Sequence, residues 1–405
     1  MPFELFVALR FLREGRAQTA LILGGTTVGV AVIVFLSALI SGLQATLVDL
    51  TLSSQAHVIL KRPDRVTRVE PPPPGAALVA RVEKAPEREK SIEQWPAVLS
   101  QVRATPGVVA ATPTAAGSAF ATRGELSRSV ALRGLEPASF EAVVKLDGKM
   151  VAGRFRVEGT EAVIGTVLAH DLGLEVGDKL RLTTPLGRGD VFTVSGIFDV
   201  GNRDVNQRWV LVPLRQAQTL LDLAGGVTTI ELKVVDAFQA EAMAQVVGAA
   251  TGLSADSWMK LNQQLLSGLQ AQSSSSAMIQ AFVVIAVALG IASVLGVSVI
   301  QKRGEIGILK ATGASTRTVK RIFLIQGAIV GVVGSLLGGL IGAALGTFFS
   351  HAVKNPYGDS LFPVALTPGL YLGASAVALL TGLASAWWPA RHAARLDPAT
   401  VIRHG

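Results

Sequence analysis

The chain has no cysteine in 405 residues. No disulfide can staple it, and thiolate catalysis and cysteine-ligated metals are excluded. Aromatic residues are scarce, at 5%, whereas glycines number 42. Two stretches, 277–300 and 322–350, contain no Asp, Glu, Lys or Arg. Each exceeds the roughly 20 residues with which a helix crosses a hydrocarbon core of about 30 Å. The phosphate-cradling sequence G-x-x-x-x-G-K-[ST] is missing. The five histidines (His57, His170, His351, His392, His404) are scattered, with no H-x-x-x-H or H-E-x-x-H spacing. No ionisable side chain falls inside an expected span, which argues against a proton- or sodium-driven carrier. No catalytic, cofactor-binding or metal-binding set emerges, so the expectation is a protein that is not itself an enzyme.

What is present is apolar and unevenly charged. Half of the residues are hydrophobic, and the net charge is +8. Leu43 to Ser276 hold 24 basic and 24 acidic residues; the rest of the chain holds 13 and 5. The excess lies beside apolar runs, the pattern of cytoplasmic loops, and not on a folded domain as in a nucleic-acid binder. From Lys302 to Arg321 six bases stand against one acid, Glu305.

These features divide the chain. Residues 1–16 read as an amphipathic helix on the inner leaflet. Residues 17–43 form a first span, too long for a signal peptide, with Gly25-x-x-x-Gly29 open to a neighbouring helix. Residues 44–276 form an extracytoplasmic α+β domain with a stalk. The second span is 277–300, the cytoplasmic loop 301–321, the third span 322–350, the outer loop 351–367, the fourth span 368–389, and a cytoplasmic tail 390–405. Both termini are expected in the cytoplasm. The fold class is an α-helical membrane protein with four transmembrane helices and a large α+β domain between helices 1 and 2.

Within 44–276, strands are expected at His57–Leu60, Lys179–Thr183, Asp190–Phe198, Trp209–Val212 and Thr228–Val235, with a hairpin around Arg123-Gly124. Helices are expected from Ser91 to Thr105, from Val167 to Leu172, from Pro213 to Leu223 and from Ala237 to Ala250. Asp64 to Lys90, with Pro71–Pro74, reads as an irregular insertion. Trp258 to Ile300 reads as one long helix, although Ser273–Ser276 also suits a flexible linker. On the third span Gly334, Gly338, Gly342 and Gly346 repeat every fourth residue, a stripe that lets another helix approach closely. Pro389 is expected to end the fourth span.

The string Glu305-Ile306-Gly307-Ile308-Leu309-Lys310-Ala311-Thr312-Gly313-Ala314-Ser315 resembles the cytoplasmic signature of the FtsX-like permeases of ABC transporters, the MacB and LolC/LolE group. Gly290-Ile291-Ala292-Ser293 and Pro389-Ala390-Arg391-His392-Ala393-Ala394-Arg395-Leu396-Asp397-Pro398 fit the same group, although Gly290 stands where an Asn is expected. In the outer domain the likeness lies in Ile164-Gly165, in Leu172 to Asp178 and in Val194 to Phe198. The resemblance implies a permease subunit in the cell inner membrane, driven by a separate ABC ATPase that binds the ATP. It implies a second copy of the chain or a related permease, and it allows a periplasmic adaptor or lipoprotein as a further partner. The implied activity is mechanotransmission, moving the outer domain to extrude or release a lipoprotein, another amphiphile, a peptide or a drug. The alternative is an FtsX-like regulator that activates an outside partner such as a cell-wall hydrolase. Glu305, Ile306, Gly307, Ile308, Leu309, Lys310, Gly313 and Ala314 are the expected ATPase-coupling residues. Ile306, Ile308 and Leu309 either fill an ATPase groove or pack back on the chain's own helices. Lys302 and Arg303 read as anchors to anionic lipid.

Overall fold

The computed structural model describes residues 3–63, 90–223, 225–352 and 364–396. The Pro71–Pro74 insertion, most of the outer loop and the tail beyond Leu396, with His404, lie outside the described residues. In chain order the elements are α1 (Phe3–Glu14), α2 (Arg16–Ser54), β1 (Val58–Lys61), α3 (Trp95–Arg103), β2 (Val108–Arg123), β3 (Leu126–Leu135), α4 (Pro137–Val143), β4 (Met150–Gly153), β5 (Glu161–Gly165), α5 (Thr166–Leu172), β6 (Lys179–Thr183), β7 (Gly189–Phe198), α6 (Arg203–Arg208), β8 (Trp209–Pro213), α7 (Leu214–Leu220), β9 (Thr229–Val234), α8 (Ala240–Thr251), β10 (Ser254–Ser257), α9 (Trp258–Leu261), α10 (Gln263–Gln301), α11 (Arg303–Ala311), α12 (Thr316–Ala352) and α13 (Pro368–Ala394). They form two compact units, Val48–Leu266 and Met1–Leu47 with Ser267–Gly405.

The Val48–Leu266 unit is built on β2. Its first half, Val108 to Thr114, pairs antiparallel with β9, which continues through β1 to β10. Its second half, Ala115 to Arg123, pairs with β3. From β3 the pairing runs through β8, β5, β7 and β6 and returns to β2 at Phe120–Thr122. One strand therefore belongs both to an open sheet and to a closed six-stranded ring. Alternating side chains fill the interior: Ala115, Ala119 and Ala121 from β2, Leu180 and Leu182 from β6, and Phe192 and Val194 from β7 are all buried. Arg133 on β3 ties the two halves by pairing with buried Glu231 on β9 and stacking 4.1 Å over the Trp209 ring.

Most expected elements in this unit lie where the residue pattern places them. The helix expected from Ser91 starts later, at Trp95. Ile92 instead exchanges backbone hydrogen bonds with Val227 (2.7 and 3.2 Å), and Pro96 sits in the first turn of α3. α4, β4, β5, α6 and β10, and the first half of β2, form where no element is expected.

Among the described residues, four helices, α2, α10, α12 and α13, are long and apolar enough to cross a membrane. At 39 residues each, α2 and α10 extend about 58 Å, almost twice a hydrocarbon core. The long helix expected from Trp258 is interrupted at Asn262, whose amide nitrogen donates to the Trp258 carbonyl at 2.7 Å. Beyond it α10 is continuous through Ser273–Ser276. Those serines are held as helix because Gln44 of α2 donates to Ser273 Oγ at 2.9 Å, and Gln280 donates to Ser37 Oγ of α2 (2.9 Å) and to Ser276 Oγ (3.2 Å). Pro389 does not end α13. It lies buried inside the helix, which runs on to Ala394. An internal proline costs a helix about 3 kcal/mol; here the last turn is retained by packing of Ala390, Ala393 and Ala394 against Val299, Ile306, Val319 and Phe323.

α12 sits among the others, and its glycines set the spacing. A Cβ on Gly338 would lie 2.6 Å from the Thr27 carbonyl oxygen and 2.7 Å from Val30 Cβ, both on α2; one on Gly342 would lie 2.9 Å from the Ala31 oxygen. On another face, a Cβ on Gly331 would lie 2.8 Å from the Ala378 oxygen of α13. Gly334 meets Thr26, and Gly346 meets Val364.

Two predictions follow from these contacts. Gly338→Leu and Gly342→Leu force α2 off α12 and should destabilise the detergent-solubilised protein by about 1–3 kcal/mol, the usual cost of overpacking. Gly290→Ala, where nothing lies within 4 Å of the added Cβ, should instead raise the thermal midpoint slightly, since alanine in a helix interior is favoured over glycine by roughly 0.5–1 kcal/mol. In the other unit, the Val234 N–H donates to Nδ1 of buried His57 at 3.3 Å. Burial, then the charge on Lys233, holds this imidazole below its ordinary 6.5. The unfolded chain therefore takes up the proton first. The stabilisation is complete above 6.5 and is lost as pH falls below it towards the folded-state value. The thermal midpoint should fall between about pH 7 and pH 5, and His57→Gln should flatten that fall.

Candidate coupling site

The segment from Gln301 to Arg321 folds as a short helix, α11, followed directly by α12. Lys310 N-terminal to Gly313 and Ala314 closes α11 in a Schellman arrangement: the Gly313 N–H donates to the Lys310 carbonyl (3.1 Å), and the Ala314 N–H to the Leu309 carbonyl (2.9 Å). Gly313 takes φ +102°, a conformation that favours glycine at this position. Ser315 then caps α12, its Oγ accepting from the Thr318 N–H at 3.1 Å. The run Gly-Ala-Ser thus has a structural reason at each position.

α11 is amphipathic, and its inner side is occupied by the chain itself. Ile306 is 1% exposed and packs among Val299, Val319, Phe323 and the last alanines of α13. Gly307 is buried. Leu309 packs against Val7, Ala8 and Phe11 of α1 and Ile322 of α12. Lys310 Nζ donates to the carbonyls of Ala394 (3.1 Å) and Leu396 (2.5 Å), satisfying groups that the end of α13 leaves open. Of the three apolar residues considered for a partner groove, Ile306 and Leu309 pack inward, three residues apart on one helix face. Ile308, on the other face, is 61% exposed. Arg303, Glu305, Ala311 and Thr312 share the exposed surface.

The charges form a chain across the same corner. Lys302 Nζ bonds Glu14 of α1 and Glu305 of α11, both at 2.6 Å, and lies 5.5 Å over the Phe11 ring. Glu14 is also paired with Arg10 at 2.8 Å. Hydrogen bonds from Arg10 and then Lys302 hold the Glu14 carboxyl below its ordinary range, and Glu14 and then Glu305 raise the Lys302 ammonium. Lys302 is therefore engaged by two carboxylates and is not a free lipid anchor. Arg303 remains exposed. The cation beside Glu305 comes from three residues earlier in the same chain. That i, i+3 spacing is visible in the sequence; the Glu14–Lys302 pair, 288 residues apart, is not. α1 itself buries Val7, Ala8 and Phe11 and leaves Phe3, Phe6 and Leu9 exposed.

Among the described residues no group of three or more His, Asp or Glu side chains is placed to hold a metal. The site is a packing corner: one short helix fixed to α1, α12 and α13, with one outward face.

Residues 19–250 match the MacB-like periplasmic core domain, and residues 277–398 match the FtsX-like permease C-terminal domain. The chain is 28% identical over 346 residues to the lipoprotein-releasing system transmembrane protein LolC of Neisseria meningitidis serogroup B, covering 76% of this chain and 81% of that protein. It is 26% identical to LolC of Xylella fastidiosa (strain 9a5c), covering 100% of this chain and 99% of that protein. It is 26% identical to the macrolide export ATP-binding/permease protein MacB of Azoarcus sp., covering 98% of this chain and 58% of that longer protein. With both domains matched in order along the sequence, and with four helices able to span a membrane, the chain belongs to the FtsX-like ABC transporter permeases of the LolC and MacB type.

Proposed function

We propose that this chain is the membrane subunit of an inner-membrane transporter that turns the ATP cycle of a separate ATPase into movement of residues 44–276 on the outer side. The observation that carries the proposal is the outward face of α11, with Arg303, Glu305 and Ile308 exposed while the inward face is fixed to three other helices. A push on that face displaces α1, α12 and α13 together. α2 and α10 are long enough to leave the hydrocarbon core, and the Gln44 and Gln280 hydrogen bonds couple them as a pair of rods. The termini lie in the cytoplasm, following the basic bias, and two such subunits assemble around one transport path. Cargo is an amphiphile of the lipoprotein kind, a reading supported by the full-length similarity to a protein named for lipoprotein release. ATP is bound by the partner, and no cofactor is held by this chain.

Two experiments test this reading. Ile308→Asp should weaken binding of the purified permease to its ATPase by at least about tenfold, as loss of a single hot-spot residue does, and abolish release of cargo at an unchanged thermal midpoint. Leu309→Asp, facing α1, should lower the midpoint instead. Unchanged ATPase affinity and full release in Ile308→Asp would place coupling elsewhere. For topology, a lone cysteine at Arg188 should react with a membrane-impermeant thiol reagent in intact cells, and one at Ser315 should react only after permeabilisation; the reverse pattern inverts the assignment.

A further inference from the structure

We propose that Gln326 of α12 binds a single water molecule in a polar pocket beneath the bend between α1 and α2. Gln326 is 1% exposed, and neither its amide oxygen nor its amide nitrogen has a hydrogen-bond partner among the described residues. A primary amide carries two donors and an acceptor, and a buried polar group without a partner is strongly disfavoured, more so in a helix bundle that lies in lipid. Gln326 lines a small cavity together with Gly15, Gln18 and Thr19 from the bend and Leu295 and Ser298 from α10. The space open to the centre of a water molecule is ≈ 10 Å³, close to the roughly 10–15 Å³ that one buried water requires. That volume excludes a lipid headgroup or any organic solute.

The lining supplies the two to four polar partners a buried water needs. Gln18 donates its amide nitrogen to Gln301 Oε1 at 2.5 Å, which leaves its own Oε1 as an acceptor. That oxygen would lie 3.3 Å from a Cβ added at Gly15. Ser298 adds a hydroxyl. No carboxylate lines the cavity, so the site suits a neutral guest and not a cation. Thr19 Oγ1 is already committed to the Leu12 carbonyl at 2.7 Å, holding the bend itself. The water joins α12, α10 and the α1–α2 bend through bonds that re-form when the bend shifts, which a direct side-chain contact of fixed length does not allow.

The test is hydroxyl-radical footprinting of the full chain in lipid nanodiscs, since radiolysis of a bound water oxidises the side chains around it. Phe11 and Leu295 line the cavity and are 6% and 1% exposed. Both should be oxidised in the wild type despite burial, and their rate should fall several-fold in Gln326→Leu with an unchanged thermal midpoint. Equal protection of both residues in wild type and variant overturns the proposal. The wild type alone gives a second readout. A map fine enough to resolve waters should show a peak within hydrogen-bond reach of the Gln326 amide; an amide turned onto a protein carbonyl with no peak beside it also overturns the proposal.

Discussion

The membrane unit depends on the absence of side chains along α12. α2 and α13 both reach its backbone, at Thr27 and Ala31 on one side and at Ala378 on another, distances that no residue larger than glycine tolerates. Close approach of this kind replaces the hydrophobic driving force that lipid does not supply, because tails are as apolar as leucine. Glycine in a helix interior costs roughly 0.5–1 kcal/mol relative to alanine, so a helix with this many is retained by its neighbours and not by its own propensity. The corner around α11 inherits that geometry: α11 is fixed to α12 at Ile306 and to α13 through Lys310, and both contacts require α12 and α13 to be in register.

The Val48–Leu266 unit solves a different problem by sharing. β2 closes a ring with its second half and carries an open sheet with its first, so neither half has an independent strand to give up. The Arg133–Glu231 pair spans the join. A buried ion pair is weak evidence for net stability, but removal of Glu231 leaves the Arg133 guanidinium over Trp209 and Phe140 without its carboxylate. The pair therefore opposes any slip of β3 relative to β9.

Much of this was legible in the chain. The spans announce themselves by the absence of charge, the ring hairpin of β6 and β7 by the glycines and proline between Thr183 and Asp190, and the end of α11 by Gly313. What was not legible is instructive in each case. β10 is Ser-Ala-Asp-Ser, with no apolar alternation; it exists because β1 offers an edge and because Lys61 and Lys260 both pair with Asp256 at 2.7 Å. Pro389 reads as a stop, yet contacts from three other helices hold the turn beyond it. The side of α11 to which Ile306, Ile308 and Leu309 point depends on the phase of a nine-residue helix, and composition does not set phase. Gln326 is one polar letter in an apolar run, and its burial is a property of four helices meeting.

The strand pairing also fixes an order of events during synthesis. Val58 pairs with Leu232 and with Ser257, so β1 is made early and finds both neighbours only after about 200 further residues have emerged. Pairings so distant in sequence form slowly, because the intervening loop must close before any contact rewards it. The ring contains the most local pairs, β2 with β3 and β6 with β7, and these complete first. Until α10 has begun to emerge, the early strand is an open edge of the kind that recruits foreign strands.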